Sequence, residues 1–238
     1  MPLEVTEEKI SDETFEYHVA NPALFQGEFI SRVLADPNLK GKVLDIGCGD
    51  HINPSIKAIY TMPSELHGVD TVESISSHPD LEKFWCDTVE AADIPGEYYD
   101  LALAYNVVEH IEQKHQFLYS VYKSLKTGGS FWALTPNSQH PFSKISFFLQ
   151  QIGLKNLIAN HDAGVNDYPA YYRLNCNSDV VRVARKIGFQ QLNIFHMPCT
   201  GWDRYFPPML RFLPHAFDRT WGVHHDRSML VFMFQLIK

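Results

Sequence analysis

Two glycines separated by one residue follow directly on a short apolar run that contains a single acid. The run covers residues 43–46 (Val-Leu-Asp-Ile), and the turn behind it covers residues 47–49 (Gly-Cys-Gly). Such a run predicts a buried parallel strand that ends in a tight turn. Because glycine has no Cβ and tolerates positive φ, the backbone of this turn can approach a ligand closely.

The turn suits a nucleotide-like ligand better than a dinucleotide. A dinucleotide fingerprint needs a third glycine three residues after the second, so that the next helix packs closely and leaves its N-terminus open to a pyrophosphate. Position 52 is Ile. An acid followed by Gly-x-Gly instead favours a ligand that carries an amino-acid group and a ribose.

Further segments follow in the order that a doubly wound sheet requires. Residues 66–70 (Leu-His-Gly-Val-Asp) and 84–87 (Phe-Trp-Cys-Asp) each predict a strand that ends in an acid. Residues 99–106 predict a strand that ends in an asparagine, and residues 107–111 carry Glu-His directly after it. Residues 125–137 then read as a helix end, a turn with paired glycines and another buried strand.

Over residues 40–137 this series resembles the class I S-adenosylmethionine-dependent methyltransferases. The resemblance implies an α/β fold with a doubly wound, mostly parallel, seven-stranded Rossmann-like sheet whose last strand is antiparallel. It also implies S-adenosyl-L-methionine as cofactor and S-adenosyl-L-homocysteine as product. The cofactor-binding residues that it implies are Asp45, Gly47, Cys48, Gly49, Asp70, Thr71, Asp87, Thr88 and Asn106.

Two of these acids have specific roles in the family. An acid at the end of the second strand accepts hydrogen bonds from the two ribose hydroxyls, and Asp70 matches that position. An acid or amide after the third strand accepts from the adenine amine, and Asp87 matches it. Asp70 also fits a helix N-cap, and Asp87 also fits a solvated loop acid, so both interpretations stay open.

Length and composition predict one enzyme-sized domain, because no linker or charge run divides the 238 residues. Within it we expect an N-terminal helical lid over residues 1–40 and a cofactor-binding half over 41–137. A substrate-recognition insertion is expected over 138–175, followed by C-terminal strands and a cap over 176–238.

Charge and cysteine usage restrict the partners and the compartment. The net charge of -8 disfavours a nucleic-acid partner, which needs Lys and Arg concentrated on one face. The four cysteines form no Cys-x-x-Cys pair, which predicts a reduced, cytoplasmic protein. Residues 1–20 lack the apolar centre of a signal peptide, and no stretch reaches the roughly 18 apolar residues of a membrane span. A homodimer is left open.

Aromatic residues concentrate in residues 138–173 and again near the C-terminus. This concentration predicts a mostly apolar pocket for a small, ring-bearing or hydrophobic molecule. Packing or a dimer interface is an open alternative for many of them. The candidate substrate-binding residues are Tyr17, Phe142, Tyr168, Tyr172 and Trp202.

Catalysis in this family depends mainly on alignment, because the sulfonium is already an excellent methyl donor. A hydroxyl acceptor benefits from a general base, a role that suits histidine near neutral pH. His110 is the first candidate, since it follows the fourth strand at the edge where open α/β sheets bind ligands. The weaker candidates are His140, His161 and His225. Each of the four also fits a surface or capping role.

A divalent metal is not expected. Certain quinone and RNA-end methyltransferases of this family carry Glu-x-x-Glu-His after the fourth strand and bind a cation there. In this chain Asn106 stands in place of the first glutamate, ahead of Glu109 and His110. An amide removes a negative charge and so weakens a site for a hard cation.

We therefore predict a methyltransferase that acts on a small, ring-bearing or hydrophobic molecule, preferentially at oxygen. Methylation at nitrogen or carbon, or a non-catalytic cofactor-binding protein without an acceptor cavity, are the alternatives. A dehydrogenase would need the missing glycine at position 52. A macromolecule methyltransferase would need a basic or extended groove.

Overall fold

One mixed sheet organises the part of the chain that the structure describes. This structure is a computed structural model and describes residues 2–8, 24–49, 56–73, 79–152, 169–197, 208–222, 224–225 and 229–238. The strands are β1 (Glu4–Glu8), β2 (Lys42–Ile46), β3 (Glu65–Asp70), β4 (Lys83–Cys86), β5 (Tyr99–Tyr105), β6 (Leu125–Pro136), β7 (Gln191–Met197) and β8 (Val231–Ile237).

The strand order is β1-β7-β8-β6-β5-β2-β3-β4. β8 is antiparallel to β6 and β7 and lies between them, and all other neighbouring strands are parallel. The predicted doubly wound order and the antiparallel last strand are thus confirmed. From β2 the chain winds outward to β3 and β4, and then returns to β5 on the other side of β2. Such a reversal opens a crevice at the carboxyl ends of β2 and β5.

The sheet has eight strands rather than the seven that the sequence predicts. The extra strand is β1, which pairs in parallel with β7 and places Glu4 opposite Gln191. All five of its residues are exposed, so the sequence has no alternation of apolar and polar residues that would predict this strand. The helical lid expected over residues 1–40 is therefore wrong for residues 4–8. Acidic side chains suit an exposed sheet edge, because they disfavour pairing with another chain.

Helices cover both faces of the sheet. They are α1 (Leu24–Ala35), α2 (Lys57–Tyr60), α3 (Lys114–Ser124), α4 (Pro141–Gln151), α5 (Asn177–Ile187) and α6 (Phe212–Phe217). Alternate residues of each central strand face opposite layers. Leu44 and Ala102 pack with the buried side chains of α3 and α5, whereas Val43 and Leu101 pack with those of α1 and α2. None of the helices among the described residues is long and apolar enough to cross a membrane.

Glycines shape the irregular points that the sequence located. Gly188 ends α5 in the left-handed region at φ 112°, as predicted, and its amide donates to the carbonyl of Ala184. The paired glycines at 128–129 lie inside β6, where the register to β5 shifts, rather than in a turn before the strand. A Cβ on Gly129 would lie 2.9 Å from the carbonyl oxygen of Lys126, so a side chain does not fit there.

Candidate active site

The turn after β2 lies against the segment that follows β5. Gly47 and Gly49 both have left-handed backbones, at φ 71° and 69°. A Cβ on Gly47 would lie 2.3 Å from Cγ2 of Val107. Glycine is therefore required at 47 by its φ and by this close approach. Substitution of Gly47 would disturb packing at the crevice as well as any ligand.

Asp70 joins two backbone segments at the end of β3. Its Oδ2 accepts from the amide of Gly49 at 3.0 Å, and its Oδ1 accepts from the amide of Val72 at 3.0 Å. A carboxylate offers about four lone-pair positions, so each oxygen keeps the capacity for a further donor. This geometry leaves room for the ribose contact that the resemblance implies and adds a structural role for the same side chain.

Asp45 is buried beneath the turn and accepts a hydrogen bond from the hydroxyl of Tyr60 on α2. Burial raises the pKa of Asp45 to about 7; the Tyr60 hydrogen bond opposes this shift, and the charge of Asp70 adds to it. The same environment raises the pKa of the Tyr60 hydroxyl, with burial as the largest cause. No sequence motif marks Tyr60 as part of the site, because only the packing of α2 on the sheet brings it to Asp45.

Asn106 directly follows β5 and has a left-handed backbone at φ 55°, a conformation that asparagine tolerates better than most residues. Its amide donates to the carbonyl of Leu134 at 2.9 Å. Its Oδ1 is buried and accepts no hydrogen bond from the described residues. Leaving a buried acceptor unsatisfied costs about 1–3 kcal/mol, so a donor on a bound molecule would be favoured here.

The ends of β3 and β4 bring the remaining predicted cofactor residues to the same edge. Asp87 is exposed, and its Oδ1 accepts from the amide of Thr88 at 2.7 Å. The carbonyl of Thr71 lies 3.9 Å from the sulfur of Cys86. Cys48 is buried in the β2 turn, and burial raises the pKa of its thiol, which makes it a packing group rather than a nucleophile. Gly47, Asp70, Asp87 and Asn106 thus share one edge; their roles stay predictions.

Glu109 and His110 lie in the segment that follows β5, whose carboxyl end borders the crevice. The buried carboxyl of Glu109 accepts from the hydroxyl of Thr135 at 2.8 Å, and burial raises its pKa against the opposing charge of His110. Nδ1 of His110 lies 2.9 Å from the carbonyl oxygen of Pro169. Because a carbonyl only accepts, Nδ1 is assigned the proton, and in the neutral ring Nε2 is the nitrogen that can take one up.

A cavity of about 390 Å³ lies beside this segment. Phe147, Tyr171 and Tyr172 form its aromatic wall, and the rings of Phe147 and Tyr172 meet at right angles with centroids 5.8 Å apart. Its polar lining consists of Lys114, Ser138, Ser143, Lys144, Arg173 and Asp179. Tyr172 therefore lies in a cavity wall, as its candidate substrate-binding role requires.

The carbonyl of Glu109 holds this wall in place. It accepts from the amides of Tyr171 and Tyr172, at 2.7 and 3.1 Å. Tyr172 adopts a left-handed backbone at φ 52°, which is costly for a bulky residue unless its surroundings fix it. Burial raises the pKa of the Tyr172 hydroxyl, and the charge of Glu109 adds to the shift. The cavity wall is thus coupled directly to the residue that precedes His110.

The other candidates are placed differently. Fully buried His140 accepts from the amide of Phe142 at Nδ1, over 3.2 Å, and directs Nε2 at Asp218, 3.3 Å away. Both ring nitrogens are therefore engaged, and the contact with Phe142 caps the start of α4. His225 is exposed and stacks on Trp221 at 4.1 Å. The candidates outside the described residues are Tyr17, His161, Tyr168 and Trp202.

The described residues contain no group of three or more His, Cys, Asp or Glu side chains that could hold a metal ion. Metal independence stays a prediction. Other residues of the site carry no signal in the sequence, notably Thr135 behind Glu109 and the cations Lys144 and Arg173 of the cavity. They come from separate elements, and only the folded sheet edge brings them together.

Comparisons with known proteins show the family of this chain. A family model described as a methyltransferase domain matches residues 17–177. The mitochondrial ubiquinone biosynthesis O-methyltransferase of Mus musculus is 31% identical over 124 residues, which cover 47% of this chain and 33% of that protein. The match thus spans about a third of the length of that relative.

Solved structures share the fold. A SAM-dependent methyltransferase from Archaeoglobus fulgidus has a TM-score of 0.56 at 18% identity, covering 94% of this chain and 98% of its own. A Haemonchus contortus phosphoethanolamine N-methyltransferase, in complex with S-adenosylhomocysteine and phosphomonomethylethanolamine, has a TM-score of 0.58 at 14% identity, covering 96% of this chain and 58% of its own.

Proposed function

Because the chain belongs to the S-adenosylmethionine-dependent methyltransferases, we propose that it methylates a small, ring-bearing or hydrophobic molecule at an oxygen atom. The observation that carries the proposal is the aromatic cavity whose wall is held by the carbonyl of Glu109, next to His110. Aromatic side chains together with polar groups that converge on one cavity are a common lining of small-molecule sites. The mouse relative is an O-methyltransferase, which supports oxygen as the acceptor.

The residues at the crevice fit the family's cofactor. In this proposal Asp70 accepts from the ribose hydroxyls, Asp87 accepts from the adenine amine, and the unpartnered Oδ1 of Asn106 accepts from a further donor of the bound molecule. Gly47 and Gly49 carry no Cβ that would obstruct the approach of a ligand to the turn. When bound, S-adenosylmethionine supplies a methyl group on a positively charged sulfur.

The chain's own residues then have two tasks. The rings of Phe147 and Tyr172 orient the acceptor and exclude water, which is the main catalytic requirement for a donor that is already reactive. His110 takes up the acceptor's hydroxyl proton at Nε2, while the carbonyl of Pro169 holds Nδ1–H and fixes the ring.

The test is a panel of hydroxylated and aminated ring compounds, incubated with the protein and S-adenosylmethionine. Formation of S-adenosylhomocysteine identifies acceptors, and mass spectrometry of the products counts the methyl groups added. We expect hydroxylated rings to react and matched methoxy compounds, whose oxygen already carries a methyl group, to be inert. Reaction of amines alone would replace oxygen with nitrogen, the acceptor named for the Haemonchus enzyme.

Location and assembly are separate proposals. The described cysteines Cys48, Cys86 and Cys176 are free thiols, in keeping with the predicted cytoplasmic location, whereas the mouse relative is named as mitochondrial. Cell fractionation of the tagged protein distinguishes the two compartments. Light scattering during gel filtration decides between a monomer and the homodimer that the aromatic-rich segments leave open.

A further inference from the structure

One side of the cavity carries positive charge that the protein does not neutralise. Lys144 and Arg173 both line it with exposed side chains, and neither side chain makes a hydrogen bond or an ion pair with the described residues. A third cation, Lys114, is bound by Asp179 at 2.7 Å, and Asp179 also pairs with Arg182. The lining acid is thus already satisfied, so Lys144 and Arg173 are left as unpaired charges.

A hydroxyl on the same side also lacks a partner among the described residues. Ser143 is 5% exposed and lines the cavity one residue before Lys144, and its hydroxyl makes no hydrogen bond to the part of the chain that the structure describes. The neighbouring Ser138 differs, because its hydroxyl donates to the carbonyl of Asn175 at 3.1 Å. The Ser143 hydroxyl lines the same cavity as these two cations, so it can donate to a bound acceptor, and a hydrogen bond to a charged acceptor is stronger than one to a neutral acceptor.

We propose that this side of the cavity binds an anionic oxygen group, a carboxylate or a phosphate, of the methyl acceptor. Arg173 and Lys144 supply the charge, and the Ser143 hydroxyl supplies a neutral donor. The aromatic wall of Phe147, Tyr171 and Tyr172 holds the attached ring, so the acceptor is an aromatic acid or an aromatic phosphate. This inference rests on the proposed function, since it names the acceptor class of the same cavity.

The positive charge at the cavity is informative because the chain as a whole is negatively charged. A protein of net charge -8 repels anions at long range. Two cations without an acidic partner among the described residues would oppose this repulsion at the cavity. The planar guanidinium of Arg173 also matches the geometry of a carboxylate or phosphate, which a neutral acceptor does not use.

The test is calorimetry on the full chain loaded with S-adenosylhomocysteine, using phenylacetate, phenyl phosphate and the neutral phenylacetamide as probes. We expect at least one anion to bind ten times or more tightly than phenylacetamide, and the tighter anion to identify carboxylate or phosphate. The Lys144→Gln/Arg173→Gln variant should lose this preference. The control Arg185→Gln/Lys186→Gln removes two exposed cations of α5 and should keep it.

Equal affinity for anions and amide, no anion binding by the wild-type chain, or an unchanged preference in the cavity variant would each overturn the proposal. Affinity for S-adenosylhomocysteine and the melting temperature establish that each variant is folded, and the two single substitutions serve if the double one is not. If the protein methylates neutral rings but shows no preference for anions, only the proposed anion subsite is wrong. If anions bind as expected but no hydroxylated ring is methylated, only the proposed function is wrong.

Discussion

The amide of Gly49 donates to Oδ2 of Asp70 over 3.0 Å, which fixes the turn after β2 to the end of β3. Gly49 follows β2 and Asp70 ends β3, and the sheet brings the two residues together at its carboxyl edge. Asp70 thus organises the glycine turn and keeps lone pairs for a ligand. A change at Asp70 should affect binding more than the fold, since the side chain is only half-buried.

Asp70→Ala should weaken binding of S-adenosylhomocysteine by about 1.5–3 kcal/mol, the range for hydrogen bonds to a charged group. Calorimetry measures the affinity, and the melting temperature of the ligand-free protein separates loss of the ligand contact from loosening of the turn. Asp93→Ala, which removes an exposed loop acid, is the control. Affinity equal to that of wild type would reduce Asp70 to a structural cap.

Asp45 should make stability depend on pH. Its pKa is about 7 in the folded protein against an ordinary 3.8, so between these values the folded state holds a proton that the unfolded chain has released. The free energy of unfolding therefore falls as pH rises through this window, by up to about 4 kcal/mol. Asp45→Asn keeps an acceptor for Tyr60 and removes the titration.

Urea denaturation at about pH 5 and about pH 8 measures this effect. The stability of Asp45→Asn relative to wild type should increase from the lower to the higher pH, whereas Asp93→Asn should show no such trend. Parallel pH profiles for Asp45→Asn and wild type would mean that the buried carboxyl titrates near its ordinary value.

The central strands and the glycine turn are predictable because their signals are local. Buried runs such as residues 43–46 must be covered on both faces, and Gly47 and Gly49 must supply left-handed backbones. β1 lacks such a signal, since Glu4, Glu7 and Glu8 lie at an exposed edge whose pairing is set by β7. The sequence of an isolated acidic segment does not show which strand it pairs with.

The site is predictable only in part for the same reason. Asp70 and Asn106 end strands and can be located by spacing, but Tyr60 reaches Asp45 from a different helix. Arg173 and Lys144 line the same cavity, which is formed by segments far apart in the chain. Tertiary packing, rather than any motif, brings such residues together.

His110→Ala should lower kcat on a hydroxylated acceptor by about 10²–10⁴-fold. The loss should shrink as pH rises, because the acceptor then ionises without a base. His115→Ala, on the exposed side of α3, is the matched control and should retain full activity. A normal kcat in His110→Ala would show that alignment suffices or that another residue takes the proton.

Turnover should survive chelation. Asn106 brings an amide where metal-binding relatives have a carboxylate, and the Glu109 carboxyl is already bound by Thr135. Treatment with EDTA followed by activity assay should leave kcat unchanged. Activity that disappears with EDTA and returns with Mg²⁺ or Zn²⁺ would make Glu109 and His110 metal ligands.

The central claim is transfer of a methyl group to oxygen of a small ring compound. The most direct measurement supplies S-adenosylmethionine labelled with carbon-13 in the methyl group, together with the hydroxylated and aminated panel, and locates the label in the products by NMR. We expect a labelled O-methyl signal that appears with hydroxylated rings and is reduced in His110→Ala. Label found only on nitrogen or carbon, or in none of the compounds while S-adenosylhomocysteine still binds, would contradict it.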